Sequence, residues 1–140
     1  MTLAEIKNLI MFQTNNDKDD LGDYLPYLMD YINEGYDRLV QAWCGSHVSV
    51  DSDLYIPLRH DKSQPETPDW THKAIADWAT WLVYRNGSPV KQSRGAVFRD
   101  SAEEMLRMVR GLTDAQKGIT RGEADKAKRY IFNIPRWRRC

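Results

Sequence analysis

The stretch DWTHKAIADWATWLVYR, residues 69–85, holds three of the five tryptophans in this 140-residue chain: Trp70, Trp78 and Trp81. Within it Ile75, Trp78, Ala79, Leu82 and Val83 recur at steps of 3, 1, 3 and 1, the spacing that lines one face of a helix. Pro68 stands before it, and Asp69 is placed to accept hydrogen bonds from the free amides of its first turn. Asn86 and Gly87 follow, residues that tolerate the left-handed conformation in which many helices end. Trp70 and Trp81 fall outside the narrow stripe, so apolar surface meets this helix on more than one side. The segment predicts a central helix packed by others of its own subunit, with some surface left for a second chain.

The preceding residues supply two of those others. Thr2 and Glu5 form a T-x-x-E capping box, and Leu3, Ile6, Leu9 and Ile10 make a short amphipathic helix that ends near Phe12. Residues 13–23, QTNNDKDDLGD, are polar and read as a loop. Their acidic cluster, Asp17, Asp19, Asp20 and Asp23, is not an EF-hand. The glycine is misplaced, and the twelfth position from Asp17 is Leu28 where a bidentate Glu belongs. A second helix begins around Asp23–Pro26, with proline tolerated in its first turn. Leu25, Leu28, Met29, Ile32, Tyr36, Leu39, Val40 and Trp43 then give the clearest helical spacing in the chain, which ends at Cys44-Gly45. Gly35 lies inside it at a cost of about 1 kcal/mol relative to alanine. Such a glycine marks the close approach of another element.

Residues 45–68 carry no helical period. Val48 and Val50 alternate with polar residues, as do Leu54, Ile56 and Leu58, with Asp51-Ser52-Asp53 between them. This pattern predicts a β-hairpin over about 47–58, and Pro57 puts its second strand at an edge. A lone hairpin is marginal in water, so it leans on the helices or offers its edge to another chain. Val48, Val50, Leu54, Tyr55 and Ile56 are its candidate partner-binding residues. After the central helix, Ser88-Pro89 is an N-cap followed by proline at the first helical position. The short connection predicts an antiparallel pair of helices. Phe98, Ala102, Met105, Leu106, Val109 and Leu112 give the core face of this last long helix. Mixed charges cover the rest of it, either as a solvated face or with arginines at a subunit contact. For such a contact the candidates are Trp70, Trp81, Arg94 and Arg99.

Composition shifts after Leu112. Thr113–Gln116 and Thr120–Glu123 are both capping-box patterns, and the chain then runs KAKRYIFNIPRWRRC. Pro135 stops any nearby helix or central strand. The expected architecture is mainly α: a small bundle of about four helices over residues 1–112, a β-hairpin inserted between the second and third, and a basic, aromatic C-terminal arm over 113–140.

The net charge of zero hides a division. Residues 1–69 hold thirteen carboxylates against five Lys and Arg, a balance of −8; residues 70–140 hold seven against fifteen, a balance of +8. Either the charges cluster by chance on a mixed surface, or the acidic side of one subunit meets the basic side of the next. Contacts of that second kind close into rings when the rotation permits. No run approaches the ~18 apolar residues of a membrane span, and MTLAEIK lacks the regions of a signal peptide, so folding in the cytosol is expected. Cys44 and Cys140 are too few and too far apart for a disulfide framework. Cys44 reads as a buried thiol at a helix end, and Cys140 simply as the last residue. Cys44, His47, His60 and His72 do not have the spacing of a zinc finger, and Asp77 and Glu103 have no special spacing. There is no glycine-rich phosphate loop, G-x-S-x-G or HExxH. The sequence points to neither an enzyme, a cofactor nor a metal site.

Chemistry of recognition concentrates in the arm. Tyr130, Ile131, Phe132, Ile134 and Trp137 sit among Lys126, Lys128, Arg129, Arg136, Arg138 and Arg139. Arginines neutralise phosphates and aromatic rings stack on bases. The same residue types dominate protein contacts, and a third reading folds the arm's apolar residues onto their own core. A small helical nucleic-acid-binding regulator is therefore one functional class, although no helix bears a dense basic, base-reading face.

LPYLMDYINEGYDRLVQAW, a short hairpin ending IPL, WTHKAIADWATWLVYR and a long amphipathic helix together resemble the head–tail connector (adaptor) proteins of tailed bacteriophages. The likeness spans roughly Leu25 to Leu112 and rests on the order and character of the elements. It implies a structural subunit of a ring, commonly of twelve copies, below the portal. Such a ring extends the DNA channel without sequence-specific binding and joins the capsid vertex to the neck and tail. It further implies a virion location after synthesis in the host cytoplasm, no membrane, an arm docked on the portal protein or an adjacent subunit, and a hairpin that meets a downstream neck or tail completion protein.

Overall fold

The computed structural model describes residues 1–14, 22–45 and 58–117. These are mainly helical: α1 (Leu3–Gln13), α2 (Leu28–Cys44), α3 (Lys73–Tyr84), α4 (Pro89–Gly111) and the single turn α5 (Asp114–Lys117). The capping box of α1 forms as expected. Glu5 N–H donates to Thr2 Oγ1 at 3.2 Å, and Thr2 N–H donates to Glu5 Oε2 at 3.1 Å. Two more first-turn amides, those of Leu3 and Ala4, donate to the carbonyls of Ser63 and Asp61 at 2.8 and 3.1 Å. That loop fixes where α1 lies, and Leu3, Ile6 and Ile10 are fully buried on its inner face.

A 3-10 turn, Leu25–Tyr27, leads into α2. With three residues per turn rather than 3.6 it breaks the phase of the stripe. Leu25, expected in the core, is consequently turned outward and 53% exposed. From Leu28 onward the stripe holds, with Leu28, Ile32, Tyr36, Leu39, Val40 and Trp43 all buried. Gly35 is where α3 comes closest: a Cβ there would sit 3.0 Å from the carbonyl oxygen of Ile75 and 3.4 Å from Trp78 Cβ. The helix ends on Gly45 at φ 72°, a left-handed residue as glycine permits. Cys44 is buried, but it is held in a disulfide rather than standing as the free thiol expected from sequence; Cys140 lies outside the described residues.

α3 is the centre of the bundle, buried at nearly every position from Ala74 to Tyr84. Two expectations about its ends are corrected. Asp69 does not cap it: the 3-10 turn Asp69–Thr71 intervenes. Thr71 Oγ1 donates to the Pro68 carbonyl at 2.6 Å, while the Asp69 carboxylate accepts from the Met1 amino group at 3.3 Å. At the other end no left-handed residue occurs, since Gly45 is the positive-φ position among the described residues. Gly87 is needed for space instead, because a Cβ there would lie 2.8 Å from Lys91 Cβ.

α4 starts as predicted, with Ser88 Oγ accepting from the Lys91 amide and Pro89 in the first turn. It runs antiparallel to α3: Gly95 faces Trp81 and Tyr84, and Ser101 faces Asp77. Ala102, Leu106 and Val109 are buried, with Phe98, Met105 and Leu112 half-buried beside them. The Thr113–Gln116 capping box forms, with N···O distances of 2.8 and 3.2 Å. Lys117 at the end of α5 is only 5% exposed. Its ammonium reaches the Ala42 carbonyl at 3.5 Å and lies 5.9 Å from the Trp43 ring centre. A cation there suits the negative end of the α2 dipole.

No strand occurs among the described residues, and the predicted hairpin, about 47–58, lies outside them except for Leu58. Leu58, expected at its end, is buried in non-strand conformation and held by a helix side chain. Its N–H donates to Asn33 Oδ1 at 2.8 Å, and Asn33 Nδ2 donates back to its carbonyl at 3.2 Å. One amide side chain thus pairs both backbone groups, as a neighbouring strand would.

Candidate partner-binding surfaces

Of the residues singled out from sequence, those of the arm (Arg129 to Arg139) and of the hairpin (Val48 to Ile56) lie outside the described residues. The four subunit-contact candidates separate into two places. Trp81 is half-buried between α3 and α4, with the Arg99 guanidinium 4.9 Å above its ring. Arg99 also donates to its neighbour Asp100 at 3.3 Å. These two are engaged with each other inside one subunit. Trp70 sits at the opposite end of α3, 48% exposed, with its ring edge-on to Trp43 at 6.3 Å. Arg94 is on the exposed side of α4.

Other exposed apolar residues were not singled out. Val90, Val97 and Met108 on α4 are 63, 66 and 58% exposed. Their separations of 7 and 11 residues are whole numbers of turns, so they share one stripe, roughly opposite the buried one. The signal was present in the sequence as a second helical period, masked by the charges interleaved with it. Phe12, at the end of α1, is 79% exposed.

A third patch gathers at the start of α2. Tyr24 and Tyr27 pack on Tyr31 with centroids 6.3 and 6.4 Å away, and Leu25 and Tyr27 are each more than half exposed. Asp23 and Asp30 are exposed around them, with Glu34 and Asp37 half-buried along the same helix. Burial, and then the neighbouring Tyr24, raise the Tyr31 hydroxyl above its ordinary value.

Two buried polar clusters are fully engaged in holding the fold. Asp77, 2% exposed, accepts from Gln13 Nε2 at 2.7 Å, Lys73 Nζ at 2.8 Å and Ser101 Oγ at 3.0 Å. Thr80 Oγ1 closes the ring by donating to Gln13 Oε1 at 2.5 Å. This network ties α1, α3 and α4 through one carboxylate. His72, 1% exposed, lies 2.6 Å from the Thr67 carbonyl through Nε2 and 2.8 Å from the Met1 amino group through Nδ1. The carbonyl can only accept, so Nε2 carries the proton and Nδ1 accepts from the amine. Burial holds the ring's pKa below the usual histidine value. Among the described residues no cluster of three or more His, Cys, Asp or Glu is arranged to hold a metal, and no helix is long and apolar enough to cross a membrane. No family model, curated protein or solved structure matches the chain.

Proposed function

We propose that this chain is a non-enzymatic structural subunit, one copy in a ring that acts as the head–tail connector of a tailed phage. The observation that carries this reading is the apolar surface left in water on separate helices: Leu25 and Tyr27 before α2, and Val90, Val97 and Met108 along α4. Exposed apolar residues that gather into a patch mark a surface of contact with another molecule. The ion pairs Lys7–Asp61, Lys73–Asp77 and Arg99–Asp100 each stay within one half of the sequence. The −8/+8 division of the sequence is the charge pattern that a contact between copies would use. The helical order from Leu25 to Leu112 adds the likeness to connector proteins. In this reading the hairpin expected over about 47–58 meets a neck partner, and the arm docks on the portal or an adjacent subunit.

The test is mass and location. Light scattering should give a multiple of 16.3 kDa for the purified chain, or the portal's mass plus such a multiple for the mixture with its portal, and labelled antibody should mark the vertex of assembled particles. A chain that stays monomeric in both mixtures and is missing from purified particles is not a connector.

A further inference from the structure

We infer that the exposed stripe of α4 is covered by the same stripe of a second copy, the two helices running antiparallel about a twofold axis level with Arg99. This goes beyond the ring reading and does not rest on it. Val90 and Met108 are 18 residues apart, five full turns, with Val97 between them, so the stripe is ~27 Å long. Its three apolar side chains are 63, 66 and 58% exposed. Gathered along one face, they form a contact surface rather than scattered surface residues.

The charges beside the stripe say what covers it. Arg94 and Glu104 are both exposed and lie within about 40° of its centre, one on each side. In an antiparallel pair, residues equally far from Arg99 in opposite directions share a level. Val90 then meets Met108 of the second copy, Val97 meets Ser101, and Arg94 meets Glu104. Every such match occurs twice, so the face is complementary to itself in shape of pattern and in charge. A parallel pair would instead set Arg94 on Arg94 and Glu104 on Glu104. The other charges of the helix do not oppose the contact. Lys91 and Arg107 share a level but stand about 160° apart around the axis, and the Arg99 guanidinium is turned onto Trp81. A twofold contact closes at two copies. It therefore pairs the free chain and is separate from any head-to-tail contact of a ring.

The test is sedimentation of the full chain without its portal, over a range of concentrations at low salt. A species of twice 16.3 kDa that dissociates on dilution is expected. Arg94→Glu alone and Glu104→Arg alone each set like charges across the contact and should weaken pairing at least tenfold, with circular dichroism unchanged. Mixed in equal amounts, the two variants place Glu against Arg at both positions and should pair again as a mixed dimer, a rescue that no ion pair within one chain can give. Single variants as dimeric as the original chain, or a mixture that fails to pair, overturn the contact. A monomer at every concentration also overturns it, and leaves the stripe to the chain's own C-terminal segment or to a different protein. A ring that forms without passing through pairs overturns the pairing but keeps the connector reading; a dimer that the portal never converts into a larger assembly does the reverse.

Discussion

Gly35 and Gly95 make the packing of α3 testable without touching its own residues. Alanine in place of a mid-helix glycine gains about 1 kcal/mol of helix propensity, so an open site is stabilised by the change. Gly111, the last residue of α4, is open: nothing lies within 4 Å of its Cβ position, and Gly111→Ala should be neutral or stabilising by up to about 1 kcal/mol. At Gly35 the new methyl meets the Ile75 carbonyl oxygen at 3.0 Å and its Cα at 3.3 Å. Both are backbone atoms of a buried helix, so α2 and α3 must separate by a few tenths of an ångström. Overpacking of this kind costs about 1–3 kcal/mol, which leaves a net loss of about 0–2 kcal/mol after the propensity gain. At Gly95 the methyl meets Tyr84 Cβ at 2.5 Å and Trp81 Cε3 at 3.0 Å. The first contact involves an atom fixed to the backbone, and no rotamer change relieves it. Gly95→Ala should therefore lose about 2 kcal/mol or more.

Urea unfolding followed by tryptophan fluorescence and far-UV circular dichroism reads this series directly. The expected order of stability is Gly95→Ala, Gly35→Ala, then wild type with Gly111→Ala level or above it. The slope with denaturant should be unchanged if each variant unfolds from the same native state. In melting temperature the Gly95 variant should fall by roughly 8 °C, at about 4 °C per kcal/mol for a chain of this size. A Gly95→Ala protein as stable as wild type with the same slope would mean α3 and α4 do not meet at that position, and the helix pairing described here would be wrong.

Two further perturbations address the buried polar groups. Asp77→Ala strands the amide of Gln13 and the hydroxyl of Ser101; it should destabilise by about 2–3 kcal/mol, the cost of unpaired buried groups, with the contribution of the half-exposed Lys73 discounted for solvent screening. A urea midpoint unmoved by Asp77→Ala would show the network to be incidental. His72 has its pKa lowered by burial, so the unfolded chain takes up a proton more readily than the folded one. Its contribution is full above the unfolded value near 6.5 and is lost as pH falls below that toward the folded-state value, at no more than about 1.4 kcal/mol per pH unit. Midpoints measured between pH 7.5 and 5.5 should fall for wild type and fall less for His72→Gln; identical pH profiles would remove His72 as the cause.

What the sequence made legible follows from where each signal is local. The α1 capping box, the Ser88-Pro89 start of α4 and the Thr113–Gln116 box depend on contacts three residues apart, and all three form. Gly35 was readable as a close approach because a glycine inside a strong apolar stripe has no local purpose. Gly95 carries the same signal in a charged helix and went unread. The failures are non-local. Asp69 looks like a cap until the Met1 amino group reaches it from the far end of the described chain. Leu25 looks like core until a 3-10 turn changes its phase. Asn33 and Lys117 carry no local sequence signal, and only the fold reveals that one holds Leu58 and the other the end of α2.

The burial of α3 also changes where a partner can bind. Its tryptophans suggested surface left for a second chain, yet Trp78 is buried, Trp81 is engaged by Arg99, and Ala74 to Tyr84 is almost entirely enclosed. Packed by α1, α2 and α4, this segment keeps the exposed Trp70 and the half-buried Trp81 at its surface, so in the proposed ring most of the contact would fall to the outer helices. Stability and assembly should then be separable by position, which Val97 tests. It is 66% exposed, and a surface substitution away from packed groups shifts stability by no more than about 0.5 kcal/mol. Val97→Asp should leave the urea midpoint where it is while placing a carboxylate in the α4 stripe between Val90 and Met108. If that stripe is covered in the ring, the variant should assemble at least tenfold more weakly with the monomer fold intact. Unchanged assembly would remove α4 from the contact; a lost midpoint with lost assembly would mean Val97 belongs to the core and the exposed stripe does not exist.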